Sequence, residues 1–169
     1  FAKGNNVGVK ATKGEYVLLL NDDTIVHPTL LTELVRELEK EKILGVVQPK
    51  IIFADSKKLQ SAGTFLTSSG FLYHFGYDKN PRLKKYNKSF EIFSANGSCM
   101  LIKREVIDEV GLFDEDFFLY FEEFDLAKRF EQRGFSVWFC AESVITHLGQ
   151  LSTGKVKNVS NIFVNSRKY

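Results

Sequence analysis

The chain has 169 residues, 44% apolar and 26% charged, and 23 Lys+Arg against 21 Asp+Glu leave a net charge of +2. That suits one domain with a hydrophobic core and excludes a disordered tail or a low-complexity linker. The near-neutral balance gives no whole-chain reason to expect nucleic acid as a partner. Cys99 and Cys140 allow one bridge at most and read as buried thiols of a reducing compartment. No stretch approaches the roughly 18 continuous apolar residues of a membrane span, and the opening FAKGNNVGVKATKGEYV lacks the basic and apolar regions of a signal peptide. Aromatic residues reach 14%, with 16 Phe, so the chain either buries many rings or shows some to a partner.

In chain order, EYVLLL at 15–20 is an apolar run closed by Asn21-Asp22-Asp23-Thr24, and it reads as a buried central strand. Pro28 fits the first turn of a helix over 28–42, with Leu30, Leu31, Leu34, Val35 and Leu38 forming its apolar stripe. After Gly45, VVQPKIIF is a second strand, interrupted or edged by Pro49. Strand, helix, strand in this order is an α/β unit. Residues 54–95 carry short aromatic segments, glycines and a basic patch from Lys79 to Lys88, which fit hairpins or a long excursion better than helices. CMLIK at 99–103 is a short strand, and 104–111 a short helix ended by Gly111. A further helix spans about 122–133, with Phe124, Ala127 and Phe130 inward and Gly134 at its C-terminal cap. FSVWFC and ESVITHL read as a last strand pair. With no internal repeat and no linker, 1–169 reads as a single α/β domain.

Four places could carry chemistry. Asn21-Asp22-Asp23 follows a strand, where open α/β sheets bind ligands. Its acid, amide and hydroxyl groups suit Mg²⁺ or Mn²⁺, or Asp23 or Thr24 simply caps the next helix. Glu122-Glu123, after an aromatic run, could have a raised pKa suited to a general base. Equally, glutamates are favourable at a helix N-terminus, and Asp125 with Arg129 is an ordinary i,i+4 pair. His147, ending the last strand, is either a metal ligand or a satisfied structural residue. The Asn5, Asn6 and Gly8 turn could present backbone N–H groups to phosphate, although it has neither Walker A nor dinucleotide spacing.

Taken together, FAKGNNVGVKATKGEYVLLLNDDTIVHP, then SANGSCMLIKREVIDEVGLFDEDFFLYFEEFDLAKRFEQRGF, then VITHLG resemble the family 2 glycosyltransferases of GT-A fold, in particular their rhamnosyltransferase-like branch. The resemblance covers nearly all of 1–149. It implies a GT-A-like mixed sheet and an inverting transferase that moves a sugar from a nucleotide diphosphate sugar to a hydroxyl acceptor. Carried over, Asp23 and His147 hold Mn²⁺ or Mg²⁺, Asn21 and Asp22 line the ribose and diphosphate, Asn6 lies near the nucleotide, and Gly97 passes close to the donor sugar. The catalytic base falls at Glu122-Glu123, where Glu123 stands in place of the usual Asp. The extra methylene moves the carboxylate by about 1 Å, enough to matter for rate, so either Glu123 serves with adjusted geometry or Glu122 or Asp125 carries more of the role.

Relatives begin with strands and a helix that precede the Gly-Asn-Asn turn, so the chain is expected to be a partial domain lacking its first strands. A non-catalytic carbohydrate- or nucleotide-binding module is the competing reading. The resemblance further implies a saccharide or lipid-linked acceptor, polysaccharide or cell-envelope assembly, and a cytoplasmic location at the inner face of the membrane. Lys79, Arg82, Lys84, Lys85 and Lys88 either meet an anionic lipid there, as a peripheral membrane contact, or form a solvated loop. The oligomeric state stays open.

Overall fold

The computed structural model describes residues 1–68, 71–117 and 121–149. In chain order its elements are α1 (Ala2–Ala11), β1 (Tyr16–Leu20), β2 (Thr24–Val26), α2 (Leu30–Leu38), β3 (Leu44–Phe53), β4 (Leu59–Ser61), β5 (Thr64–Leu66), β6 (Leu72–His74), a 3₁₀ turn (Lys84–Tyr86), β7 (Phe90–Ile92), β8 (Cys99–Lys103), α3 (Arg104–Val110), α4 (Glu122–Gln132) and β9 (Ser136–His147). The Gly-Asn-Asn segment is helical rather than the turn expected there. Ala2, Asn6 and Val9 share the buried face of α1, while Gly4 and Gly8 lie exposed, so packing of one face outweighs the poor helix propensity of glycine.

The main sheet has the order β1-β8-β3-β9-β2, with β4 added to β3 and β7 to β9. β3 and β9 pair in parallel and the other pairs are antiparallel, so the sheet is mixed. β1 is an edge strand among the described residues, not the central strand its apolar run suggested. The run arises because both of its faces are covered. Val17 and Leu19 pack with Met100, Ile102, Val46 and the α3–α4 side, while Tyr16 and Leu18 pack with Leu101 on the α2 side. Leu30, Leu34 and Leu38, spaced four apart, press α2 onto that second face, completing three layers.

Pro49 lies inside β3 without breaking it. β9 runs along one edge of β3, while the other edge is taken by β8 at Val46–Val47 and by β4 at Ile51–Ile52. Pro49 falls between those two pairings, where no N–H is asked of it, and the register with β9 shifts beside it. That shift also corrects the last strand pair: FSVWFC and ESVITHL form one strand, β9. Its pairing with β3 jumps from Pro49↔Cys140 to Lys50↔Val144, so the irregular stretch around Glu142 is a bulge and not a loop.

On α4, Leu126, Ala127 and Phe130 are buried, whereas Phe124 is half-buried and stacks on Phe93 at 5.8 Å. Cys99 and Cys140 are free and buried, as expected of core thiols, and burial raises both pKa values. No helix among the described residues is long and apolar enough to cross a membrane.

Candidate active site

β1, β3 and β9 run in the same direction, and their carboxyl ends share one end of the sheet. Asn21 is pinned there by its backbone: its N–H donates to the Ser98 carbonyl at 3.0 Å and its carbonyl accepts the Thr24 hydroxyl at 2.7 Å. Asp22 is exposed, with no hydrogen-bond or ion-pair partner among the described residues. Asp23 turns inward and is buried, with Oδ1 2.9 Å from His147 Nε2. Pairing of β2 with β9 sets Thr24 opposite His147, and the Leu148 N–H donates to the Asp23 carbonyl at 2.8 Å. Helix capping does not explain this cluster, because the N-cap of α2 is Thr29.

The other ring nitrogen of His147, Nδ1, lies 2.8 Å from Gln60 Oε1. An amide oxygen only accepts, so both ring nitrogens face an acceptor, and a neutral imidazole has one hydrogen to give. With the hydrogen on Nδ1, the Nε2 lone pair would lie beside a carboxylate oxygen at 2.9 Å, two ligand atoms side by side. A carboxylate and an imidazole are a donor set that a divalent ion accepts while keeping positions for water and phosphate oxygens. No group of three or more His, Cys, Asp or Glu that could hold a metal occurs among the described residues.

The second half of the site opens α4. Phe121 holds φ at +73°, a conformation that costs a bulky residue roughly 1–3 kcal/mol and is frequent at functional sites. Three carboxylates follow in the first turn. Asp125 is committed to structure: it pairs with Arg129 at 2.7 Å, and Arg129 also donates to the Val110 and Leu112 carbonyls. Glu123 Oε1 accepts the Gly97 N–H at 3.2 Å. Burial, reinforced by the neighbouring Glu122 charge, pushes the Glu123 carboxyl up to about 7. Glu122 is 2% exposed, and its Oε2 has no hydrogen-bond partner among the described residues. Burial raises its pKa as well.

The segment 94–98 knits the halves together. Ser98 holds Asn21, Gly97 holds the Glu123 carboxylate, and the Ser94 hydroxyl donates to the Glu123 carbonyl at 3.1 Å. Gln48, fully buried in β3, accepts the Asn96 N–H at 2.7 Å and donates to Ser61 Oγ at 3.3 Å. A side chain at Gly97 would put its Cβ 2.7 Å from Glu123 Oε1 and 2.8 Å from the Phe1 ring, so glycine is what allows this approach.

A family model described as "Glycosyltransferase like family 2" matches residues 2–161. The chain belongs to that family.

Among relatives of this family 2 chain, the O-antigen biosynthesis protein RfbC of Myxococcus xanthus is 28% identical over 85% of the chain and 12% of that protein. The low-salt glycan biosynthesis hexosyltransferase Agl10 of Haloferax volcanii is 26% identical over 83% and 46%. The N-acetylglucosaminyl-diphospho-decaprenol L-rhamnosyltransferase of Mycobacterium tuberculosis is 35% identical over 36% and 20%. The chain therefore spans less than half the length of these relatives. A crystal structure of GalNAc-T7 with UDP, GalNAc and Mn²⁺ superposes with a TM-score of 0.71 at 18% identity, over 98% of this chain and 34% of that one. The GT-A-like fold expected of the family is thereby present.

The structure thus brings Asp23 to His147, and Asn21, Gly97 and Glu123 to one loop. It spends Asn6 elsewhere: the amide donates to the Phe113 carbonyl at 2.9 Å and to Glu115 Oε1 at 3.0 Å, and accepts the Phe113 N–H at 3.1 Å. Asn6 is thereby a tie between α1 and the loop ahead of α4. Of the aromatic run 117–121, residues 118–120 lie outside the described residues. Gln60, Gln48 and Asn96 escaped the sequence reading because their roles depend on strand register and loop packing, which leave no local motif.

Proposed function

We propose that this family 2 chain carries the metal and base half of an inverting glycosyltransferase that moves a sugar from a nucleotide diphosphate sugar to a hydroxyl acceptor. The observation that carries the reading is the 94–98 segment, which holds the Glu123 carboxylate through Gly97 and the Asn21–Asp23 turn through Ser98. Asp23 and His147 would hold a divalent ion, Mn²⁺ or Mg²⁺, which supplies positive charge toward the leaving diphosphate. Asn21 and Asp22, at the mouth of the turn, line the ribose and diphosphate. Gly97, lacking a side chain, lets the donor sugar approach the backbone beside the base.

Glu123 accepts the proton of the acceptor hydroxyl. The hydroxyl oxygen forms the new bond to the anomeric carbon as the bond to the diphosphate oxygen breaks, and the diphosphate departs with that electron pair. A carboxyl raised to about 7 is matched to this task, because a base near neutrality combines ionisation with proton affinity. Buried and without a partner for Oε2, Glu122 raises its neighbour's pKa rather than meeting substrate. Names among the relatives, a low-salt glycan biosynthesis hexosyltransferase and an N-acetylglucosaminyl-diphospho-decaprenol L-rhamnosyltransferase, support a saccharide or lipid-linked acceptor.

The test supplies labelled nucleotide sugars, Mn²⁺ and candidate acceptors to the full-length gene product and to its Asp23→Ala and Glu123→Gln variants. Transfer by the unchanged protein, lost in both variants, is expected. Transfer undiminished in both would sink the mechanism. Donor binding without any transfer would instead make this a binding module.

A further inference from the structure

Gln60 occupies an unusual place in the sheet. On β3, Ile52 faces Leu59 and Ile51 faces Ser61, so Gln60 is the extra residue of a β-bulge in β4. A bulge re-aims the side chain of its extra residue, and bulges gather beside active sites for that reason. Here the re-aimed amide meets the His147 ring, with Oε1 2.8 Å from Nδ1. The next residue, Ser61, points its hydroxyl the other way, to Gln48 and to Gly63.

A neutral imidazole has one ring hydrogen, and His147 has an acceptor on each side, Gln60 Oε1 and Asp23 Oδ1. If the hydrogen sits on Nε2 it bonds Asp23, and the nitrogen is closed to a metal. If it sits on Nδ1 it bonds Gln60, and Nε2 offers its lone pair beside the Asp23 carboxylate. We propose that Gln60 is a positioning residue whose bulge-directed amide oxygen keeps the His147 hydrogen on Nδ1, so that Nε2 and Asp23 Oδ1 are presented together to a divalent cation. This rests on the reading of Asp23 and His147 as the cation's ligands. It adds that the third group is an outer-shell orienter, of the kind whose loss costs about 10–100-fold in metal affinity.

Three full-length variants test it: Gln60→Leu, which removes the acceptor at similar size; Gln60→Glu, which keeps an acceptor oxygen; and Asp23→Ala as the control that removes a ligand. Mn²⁺ affinity is read from the paramagnetic resonance of free Mn²⁺. The ring hydrogen of His147 is read separately in metal-free protein, from nitrogen-15 correlations of the imidazole. Expected are about 10–100-fold weaker Mn²⁺ binding in Gln60→Leu, near-parental binding in Gln60→Glu, and loss of the Nδ1–H signature in Gln60→Leu alone of the two. Parental Mn²⁺ affinity with an unchanged ring signal in Gln60→Leu overturns the proposal. If the unchanged protein binds no Mn²⁺, the metal reading falls, and the ring signal decides by itself whether Gln60 orients His147.

Discussion

Asp23 with His147 and Glu122 with Glu123 lie at either side of one loop, yet their carboxylates meet opposite environments. Asp23 is buried against an imidazole that is itself held by Gln60. The Glu123 carboxylate accepts a long hydrogen bond from Gly97, and Glu122 Oε2 has no partner among the described residues. A carboxylate set against an imidazole offers two ligand atoms side by side, as the proposed cation site requires. One left beside a like charge in a desolvated place keeps its proton longer and can take one from a substrate. Under the proposed mechanism, neighbours rather than residue type divide the two tasks.

That contrast can be broken by experiment. The largest effect is expected from Glu123→Gln, which should lower sugar transfer by about 10²–10⁴-fold while leaving Mn²⁺ affinity intact. Asp23→Ala should cost about 10²–10³-fold in transfer and remove Mn²⁺ binding with it. If both variants changed Mn²⁺ affinity alike, the division of labour would collapse. Gly97→Ala should lower kcat by roughly 10–100-fold with little change in donor KM, since its Cβ displaces the Glu123 carboxylate.

The pH dependence sharpens the base side. With the Glu123 carboxyl at about 7, kcat/KM should fall on the acid side of that value as the base becomes protonated. Glu122→Gln should move this limb to lower pH, because the neighbouring charge that helps raise Glu123 is gone. An unmoved limb would show that burial alone sets it. The smallest effect concerns stability. Glu122 has a raised pKa in the folded chain, so its contribution to stability is full below its unfolded value and is lost as pH rises through the folded value. Glu122→Gln should therefore raise Tm by a few degrees near pH 8, roughly the scale of 1 kcal/mol, and give no gain near pH 4, as thermal melts at the two pH values would show.

The basic segment 79–88 offers a lesser contrast with the site. Lys85 lies over the Phe75 and Tyr86 rings, 5.6 and 5.0 Å from their centroids, and is thereby part of the packing of the 54–95 excursion. Lys84 and Lys88 are simply exposed. The excursion's rings Phe65, Phe75 and Phe90 pack against the core, so part of the aromatic content that stood out in the composition fills the interior.

Much of the sheet and most helices were legible in the sequence, because apolar periodicity is a local property. EYVLLL, CMLIK and the Leu30, Leu34, Leu38 stripe each announce one element through their own spacing. The motifs around Asp23, Glu123 and His147 were legible as well, since each lies at the end of such an element. Several features read differently in the fold, β1 at the sheet edge among them. α1 is helical because its buried face packs, despite two glycines. β9 is continuous because a bulge absorbs the irregular stretch around Glu142. Asn6 ties α1 to a loop a hundred residues away in sequence.

The sequence by itself determined the family, most of the core strands and helices, and the carboxylates and imidazole available for chemistry. Only the tertiary structure decided which of them meet. The 2.9 Å approach of Asp23 to His147 follows from β2 pairing with β9. The Gly97 hold on Glu123 comes from a loop tied to β3 through Gln48 and Asn96, and the Gln60 hold on His147 comes from one extra residue in β4. Register and bulges are settled between strands distant in sequence, so no local pattern encodes them.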